Sequence, residues 1–248
     1  MIRTKIWAHR GASSVAPENT LAAFEMAIRQ GADGVELDVQ RTADGILVVA
    51  HDEECQRVTG QPGAIARMTL AELKQLNFAN HFPGAEFQAI PTLAEVFDLV
   101  LPSNLTVNVE LKNAVVLYPG MEDQVLDLII GMKMQDRVQL SSFNHYSLVD
   151  MVRLLREKNL GIPCGPLYFC GIYEPWVYAA RLGFAAIHPL YANLQIPSIV
   201  DSCQAAGIAV NPWVIDDPAH IAMALKLGVD AIITNIPDKA LMIREQSN

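Results

Sequence analysis

The 248-residue sequence predicts an α/β fold, a closed (β/α)8 barrel. Three observations lead there. Short β-prone runs alternate with helical patterns to the end of the chain, which implies parallel strands joined by helical crossovers. Eight such units can be counted, averaging 31 residues each, near the lean limit for a closed barrel. One join also recurs: a helical stretch stops at glycine and an apolar run follows. It occurs at Gly31, Gly161, Gly183, Gly207 and Gly228, and glycine suits the left-handed position just past a helix end. An open doubly wound sheet would favour a G-x-G-x-x-G turn after the first strand. The chain has His9-Arg10-Gly11-Ala12-Ser13-Ser14 there instead.

The elements follow in order. The first strand is Lys5–His9, and the helix Thr20–Gln30 is capped by Asn19 or Thr20. The second strand is Gly34–Val39, with a further strand-like run at Ile46–Ala50. Residues 52–91 break the rhythm. They hold Gly60, Pro62, Gly63, Pro83 and Gly84, with one short helical pattern at Thr69–Leu76. They read as a small insertion at the active-site rim of a single 1–248 domain, too poor in apolar residues for a core of their own. The rest alternates regularly. Strands are expected at Thr106–Lys112, Arg137–Ser141, Ile162–Tyr168, Ala185–His188, Ile208–Trp213 and Ala231–Thr234. Helices are expected at Thr92–Leu101, Gly120–Met132, His145–Lys158, Glu174–Leu182, Pro197–Ala206, Pro218–Leu227 and Pro237–Arg244.

Composition limits the partners. At 51% hydrophobic and 18% charged the chain is globular. Lys plus Arg number 18 against 27 Asp plus Glu, a net charge of -9. That balance argues against nucleic acid and gives no pull towards anionic membranes. An anionic small molecule then needs a local basic cluster or a metal to reverse the field. There is no apolar run of about 18 residues for stable membrane insertion and no signal-peptide pattern, so cytoplasm is the expected location. Cys55, Cys164, Cys170 and Cys203 show no C-x-x-C or zinc spacing. They read as small buried hydrophobes in a reducing compartment.

In a barrel the strand ends face a common mouth, where active sites sit. Polar residues that end strands are therefore the candidates: His9-Arg10, Glu36 with Asp38, His51-Asp52, Glu110 with Lys112, Trp213 and Asn235. Glu36 and Asp38 are two apart on a strand and share a face. Two like charges so close are costly unless something positive lies between them. A hard divalent cation, Mg²⁺ or Ca²⁺ with Mn²⁺ as a further option, answers that need; a solvated edge strand is the plain alternative. Glu110 repeats the pattern on the next strand, ~5 Å away, within reach of the same ion. Lys112 can either neutralise Glu110 or bind a substrate anion as a point charge. His9 and Arg10 can both face the site only if the chain bends, which Gly11 permits. Arg10 offers a fork for phosphate oxygens, and His9 and His51 suit acid–base work near neutrality. The remaining histidines, His81, His145, His188 and His220, read as structural, and Pro17-Glu18-Asn19-Thr20 reads as a helix start.

As a set these residues resemble the glycerophosphodiester phosphodiesterases. The likeness rests on His9-Arg10-Gly11, Pro17-Glu18-Asn19-Thr20, Glu36-x-Asp38, His51-Asp52 and Glu110-x-Lys112. Ser141-Ser142-Phe143, Trp213 and Thr234-Asn235-Ile236-Pro237-Asp238 extend it, so that it runs from Ile6 to about Met242. Val214 departs from it, where many relatives carry Thr. The resemblance implies a TIM-type barrel with a small insertion after the second strand unit. It also implies metal-dependent hydrolysis of glycerophosphodiesters to sn-glycerol 3-phosphate and an alcohol. By position it makes Glu36, Asp38 and Glu110 the ligands of one divalent cation and His9 and His51 the acid–base pair. It makes Arg10 and Lys112 phosphate binders and sets Trp213 on the glycerol or leaving-group side. Two other readings compete. One is a non-catalytic phosphodiester-binding protein, which has no need of two histidines. The other is a lysophospholipase D-like phosphodiesterase, whose lipid chain would lie along Phe78, Phe82 and Phe87 of the insertion with Leu167, Tyr168 and Phe169. Core and rim packing is the plain explanation of those side chains.

Overall fold

The computed structural model describes residues 4–247. All eight expected strands are present: β1 Lys5–His9, β2 Gly34–Arg41, β4 Thr106–Leu111, β5 Val138–Ser142, β6 Cys164–Tyr168, β7 Ala186–Pro189, β8 Ala209–Val210 and β9 Ala231–Thr234. Neighbours pair in parallel in the order β8-β7-β6-β5-β4-β2-β1-β9. Backbone bonds from Asp230 N to Val210 O (3.0 Å) and from Ile233 N to Pro212 O (3.1 Å) bridge the seam between β8 and β9. The result is a nearly closed parallel barrel. Strand β3 (Leu47–Val49) lies antiparallel on β2, off the barrel path.

The helices that cover the barrel are α1 Leu21–Gln30, α4 Leu93–Val100, α5 Met121–Gly131, α6 His145–Glu157, α7 Pro175–Leu182, α8 Ile199–Ala205, α9 Pro218–Leu227 and α10 Pro237–Gln246. Gly31, Gly183 and Gly228 cap α1, α7 and α9 in the left-handed region, as expected. After α6 the expectation fails in detail. Asn159, not Gly161, takes the positive φ, at 53°, because asparagine tolerates that conformation. β8 is also shorter than expected, since Pro212 lacks the N–H a longer ladder needs. Among the described residues no helix is long and apolar enough to cross a membrane.

Alternation along β2 and β4 positions the site. Val35, Leu37 and Val39, with Val107, Val109 and Leu111, turn outward and join the main core under the helices. Glu36, Asp38, Asn108 and Glu110 are left on the opposite, inner face.

Residues 52–91 complete their packing only with help from the β3 region. They carry α2 (Gln56–Thr59) and α3 (Leu70–Leu73), and they build a small apolar cluster. Cys55, Val58, Ile65, Leu73, Leu76, Phe78 and Ile90 pack there on Val48 and Ala50. Two residues borrowed from the β3 region make good the segment's low apolar content. The cysteines divide: Cys55, Cys164 and Cys203 are buried, but Cys170 is exposed, because it lies just past the end of β6 at the rim.

Candidate active site

Two adjacent strands, β2 and β4, deliver the acidic groups, and β1 beside them delivers His9. Register pairs His9 with Glu36 across β1 and β2, and Asp38 with Glu110 across β2 and β4. One carboxylate oxygen from each of Glu36, Asp38 and Glu110 lies within 4.8 Å of the others. The three residues are only 3%, 1% and 7% exposed. Burial, with the charge of Asp38, raises Glu36 well above the usual carboxylate range and pushes Glu110 up to about 7. Burial opposes ionisation of Asp38 too, but the positive charges of Arg10 and Lys112 and a hydrogen bond from Asn19 hold it below the usual range. Three buried carboxylates aimed at one point, two of them resisting ionisation, form an all-oxygen donor set that a hard divalent cation fits.

Two cations flank the acids. Arg10 stands in the left-handed region at φ 55°, and Gly11 follows at φ 80°. The expected bend is therefore shared by both residues. A Cβ at Gly11 would lie 2.6 Å from the carbonyl carbon of Ala23 in α1, so only glycine passes there. The turn aims the Arg10 N–H at Glu36 Oε2 (3.1 Å) and its Nη1 at Glu18 Oε1 (2.9 Å). Arg10 Nε stands 3.4 Å from Asp38 Oδ2 and makes no hydrogen bond. Lys112 Nζ lies 3.1 Å from Glu110 Oε1 and 3.8 Å from Asp38 Oδ1.

Both candidate histidines have one ring nitrogen fixed. His9 Nδ1 lies 2.7 Å from Asn235 Oδ1, and the Asn235 amide donates in turn to Asp216 (2.6 Å). Asn235 therefore accepts from Nδ1–H, which leaves Nε2 for chemistry. Burial, reinforced by Arg10, lowers His9 to about 4, so the ring is neutral at pH 7. His51 Nδ1 donates to Asp52 Oδ1 at 2.6 Å, again leaving Nε2.

These side chains line one wall of a cavity of about 520 Å³. The facing wall is apolar: Val115, Phe143, Leu167, Phe169 and Trp213. Phe143 stacks on Phe169 (4.8 Å) and both meet Trp213 edge-on. Trp213 Nε1 donates to His188 O (2.8 Å), which holds the indole in this wall. Leu167 and Phe169 line the cavity as the lipid reading requires. Phe78 does not, being buried in the insertion's cluster. Of the histidines read as structural, His145 has both ring nitrogens bonded, to Tyr178 and Leu167 O. His188 is fully buried beside Gln139.

Sequence reasoning overlooked part of the cluster. Asn19, expected only as a helix cap, donates to Asp38 Oδ2 at 2.8 Å from a left-handed backbone, and Thr20 caps α1 instead. Glu18 and Asp52 sit behind Arg10 and His51, and Arg57 of α2 joins them. Asparagine tolerates positive φ, but that does not point to Asp38 as its partner. Nothing in the spacing of Glu18, Asp52 and Arg57 tells that they meet.

Comparison with known proteins agrees with the fold and gives the family. The sequence profile described as the Glycerophosphoryl diester phosphodiesterase family matches residues 9–239. A glycerophosphodiester phosphodiesterase from Caldanaerobacter subterraneus subsp. tengcongensis is 43% identical over 241 residues, 96% of each chain. One from Bacillus altitudinis is 38% identical over 98% of this chain and 99% of its own. A solved glycerophosphodiester phosphodiesterase from Agrobacterium tumefaciens superposes with a TM-score of 0.83 at 28% identity, covering 96% of this chain and 99% of that one. A phosphodiesterase from Oleispira antarctica, solved with the product sn-glycerol-3-phosphate, gives 0.82 at 28% identity, covering 98% and 97%. A TIM-type barrel that matches these relatives over nearly its whole length is a phosphoric diester hydrolase. The chain belongs to the glycerophosphoryl diester phosphodiesterase family, and its activity is that of a glycerophosphodiester phosphodiesterase.

Proposed function

We propose that the chain hydrolyses glycerophosphodiesters to sn-glycerol 3-phosphate and an alcohol, with Glu36, Asp38 and Glu110 holding one divalent cation. The convergence of these three buried carboxylates within 4.8 Å carries the reading. When bound, the cation, Mg²⁺, Ca²⁺ or Mn²⁺, supplies positive charge that draws electron density from the phosphoryl oxygens. The chain's own residues do the rest. Arg10 and Lys112 bind the diester's non-bridging oxygens, so that a nucleophile can approach an otherwise repelling anion. His9 and His51 each present Nε2 of a ring fixed through Nδ1. One Nε2, unprotonated, removes the proton of the attacking oxygen, and the other ring, entering the step with protons on both nitrogens, delivers its Nε2 proton to the departing alcohol. Asn235 and Asp52 each hold a ring by its Nδ1–H, so that Nε2 faces the reacting atoms.

Trp213, with Phe143 and Phe169, lines the side on which the glycerol or the leaving alcohol rests. That apolar wall favours a second reading, a lysophospholipase D-like action on lipid phosphodiesters, because a glycerol or choline group leaves most of it uncovered. Product analysis separates the two. The expected result is release of glycerol 3-phosphate from glycerophosphocholine, abolished by chelator and restored by Mg²⁺, Mn²⁺ or Ca²⁺. Faster turnover of lysophosphatidylcholine would favour the lipid reading. Tight binding without turnover at any of these ions would favour a binding protein.

A further inference from the structure

We propose that Arg57, on the insertion, is a positioning residue for the reaction: its guanidinium ties the carboxylate behind His51 and the carboxylate behind Arg10 into one rigid frame. The inference rests on the roles given above to His51 and Arg10. Arg57 lies on the four-residue α2, outside the barrel, yet it engages two carboxylates at once. Its Nε and Nη2 meet Asp52 Oδ2 (2.5 Å) and Oδ1 (3.2 Å). Its Nη1 and Nη2 meet Glu18 Oε2 (3.0 Å) and Oε1 (2.7 Å).

The two oxygens that Nη2 touches are the ones the site uses. Asp52 Oδ1 also accepts from His51 Nδ1 at 2.6 Å, and Glu18 Oε1 also accepts from Arg10 Nη1 at 2.9 Å. The chain of contacts thus runs His51, Asp52, Arg57, Glu18, Arg10, and Arg10 faces Asp38. Against burial, the bonds from Arg57 help to keep both Glu18 and Asp52 ionised. A half-exposed ion pair by itself contributes little to stability. A planar fork that satisfies two carboxylates at fixed angles sets geometry rather than stability, and a lysine's point charge cannot copy it. The insertion's apolar cluster explains how α2 is held in place, since Cys55 and Val58 on either side of Arg57 are buried in it.

The test is steady-state hydrolysis of glycerophosphocholine by Arg57→Ala and Arg57→Lys in the full chain at saturating divalent cation. Loss of an outer partner of this kind typically costs 10–100-fold. The expected result is a fall of about that size in kcat/KM for Arg57→Ala, with the melting temperature nearly unchanged. Added guanidinium ion should restore part of the loss, and Arg57→Lys should recover only part. Combining Arg57→Ala with Asp52→Asn should add little to Asp52→Asn alone, because both break the same frame. Wild-type kcat/KM in Arg57→Ala would overturn the proposal. So would a loss that guanidinium leaves unrescued and that multiplies with Asp52→Asn. If Arg57→Ala does not fold, Arg57→Gln is read in the same way. Bis(p-nitrophenyl) phosphate serves as a second substrate. If the unaltered chain cleaves only that ester, the glycerophosphodiester reading fails while the effect of Arg57 is still measured.

Discussion

At Glu110 a proton and a cation compete for one carboxylate. Burial and Asp38 raise this group to about 7, so at pH 6 the metal-free protein carries a proton there that a bound cation must displace. The sign follows directly: the Glu110 proton that cation binding releases is already lost above about pH 7, Glu36, raised as well, adds its own release, and affinity rises with pH. Calorimetry at pH 6 in buffers of different ionisation enthalpy should register that release, and it should shrink by pH 8.5. A second test concerns Asn19, whose amide holds Asp38 from a left-handed backbone. Asn19→Gly keeps that conformation and removes only the donor. Cation affinity should fall about 10–100-fold, as for other outer partners of metal ligands, with the melting temperature barely moved. Titration of the variant with Mn²⁺ checks this. These two residues mark what was legible at this scale. Glu110 could be read because strand alternation puts it on the face of Glu36 and Asp38. Asn19 could not, because its partner lies nineteen residues on and its local role, next to a helix start, already had a sufficient explanation.

The join between β1 and α1 is the element on which the site turns. It bends at Arg10 and Gly11, both at positive φ, and a Cβ on Gly11 would lie 2.6 Å from the Ala23 carbonyl carbon. Gly11→Ala adds a left-handed alanine, ~1–2 kcal/mol, and a backbone overlap of ~1–3 kcal/mol. For a chain of this size that is a drop in melting temperature of roughly 5–15 °C. Differential scanning calorimetry checks it. Activity should fall further than stability, because the Arg10 N–H leaves Glu36. Most elements were legible in the sequence, since Gly stops and apolar runs such as Ala231–Thr234 are local signals. The details that were not legible depend on distant packing. β3 takes its place from β2, and the insertion's core from Val48 and Ala50. The shortening of β8 was readable from Pro212, but the apolar run around it suggested a longer strand.

Across the whole molecule, the net charge is -9, so the proposed reading needs positive charge gathered at one end of the barrel. Arg10 and Lys112 stand there, and on that reading a cation among the three carboxylates would reverse their field. The fold supplies the rest by geometry: β1, β2 and β4 are neighbours, so residues as far apart as His9 and Glu110 share one mouth. The most direct test measures cation binding and turnover on the same samples, the unaltered chain and Glu110→Gln. The expected result is one divalent ion per chain, with release of glycerol 3-phosphate rising in step with occupancy, and both lost in Glu110→Gln. Full turnover in that variant, or in the unaltered chain after exhaustive chelation, would contradict the cation-holding role of Glu36, Asp38 and Glu110.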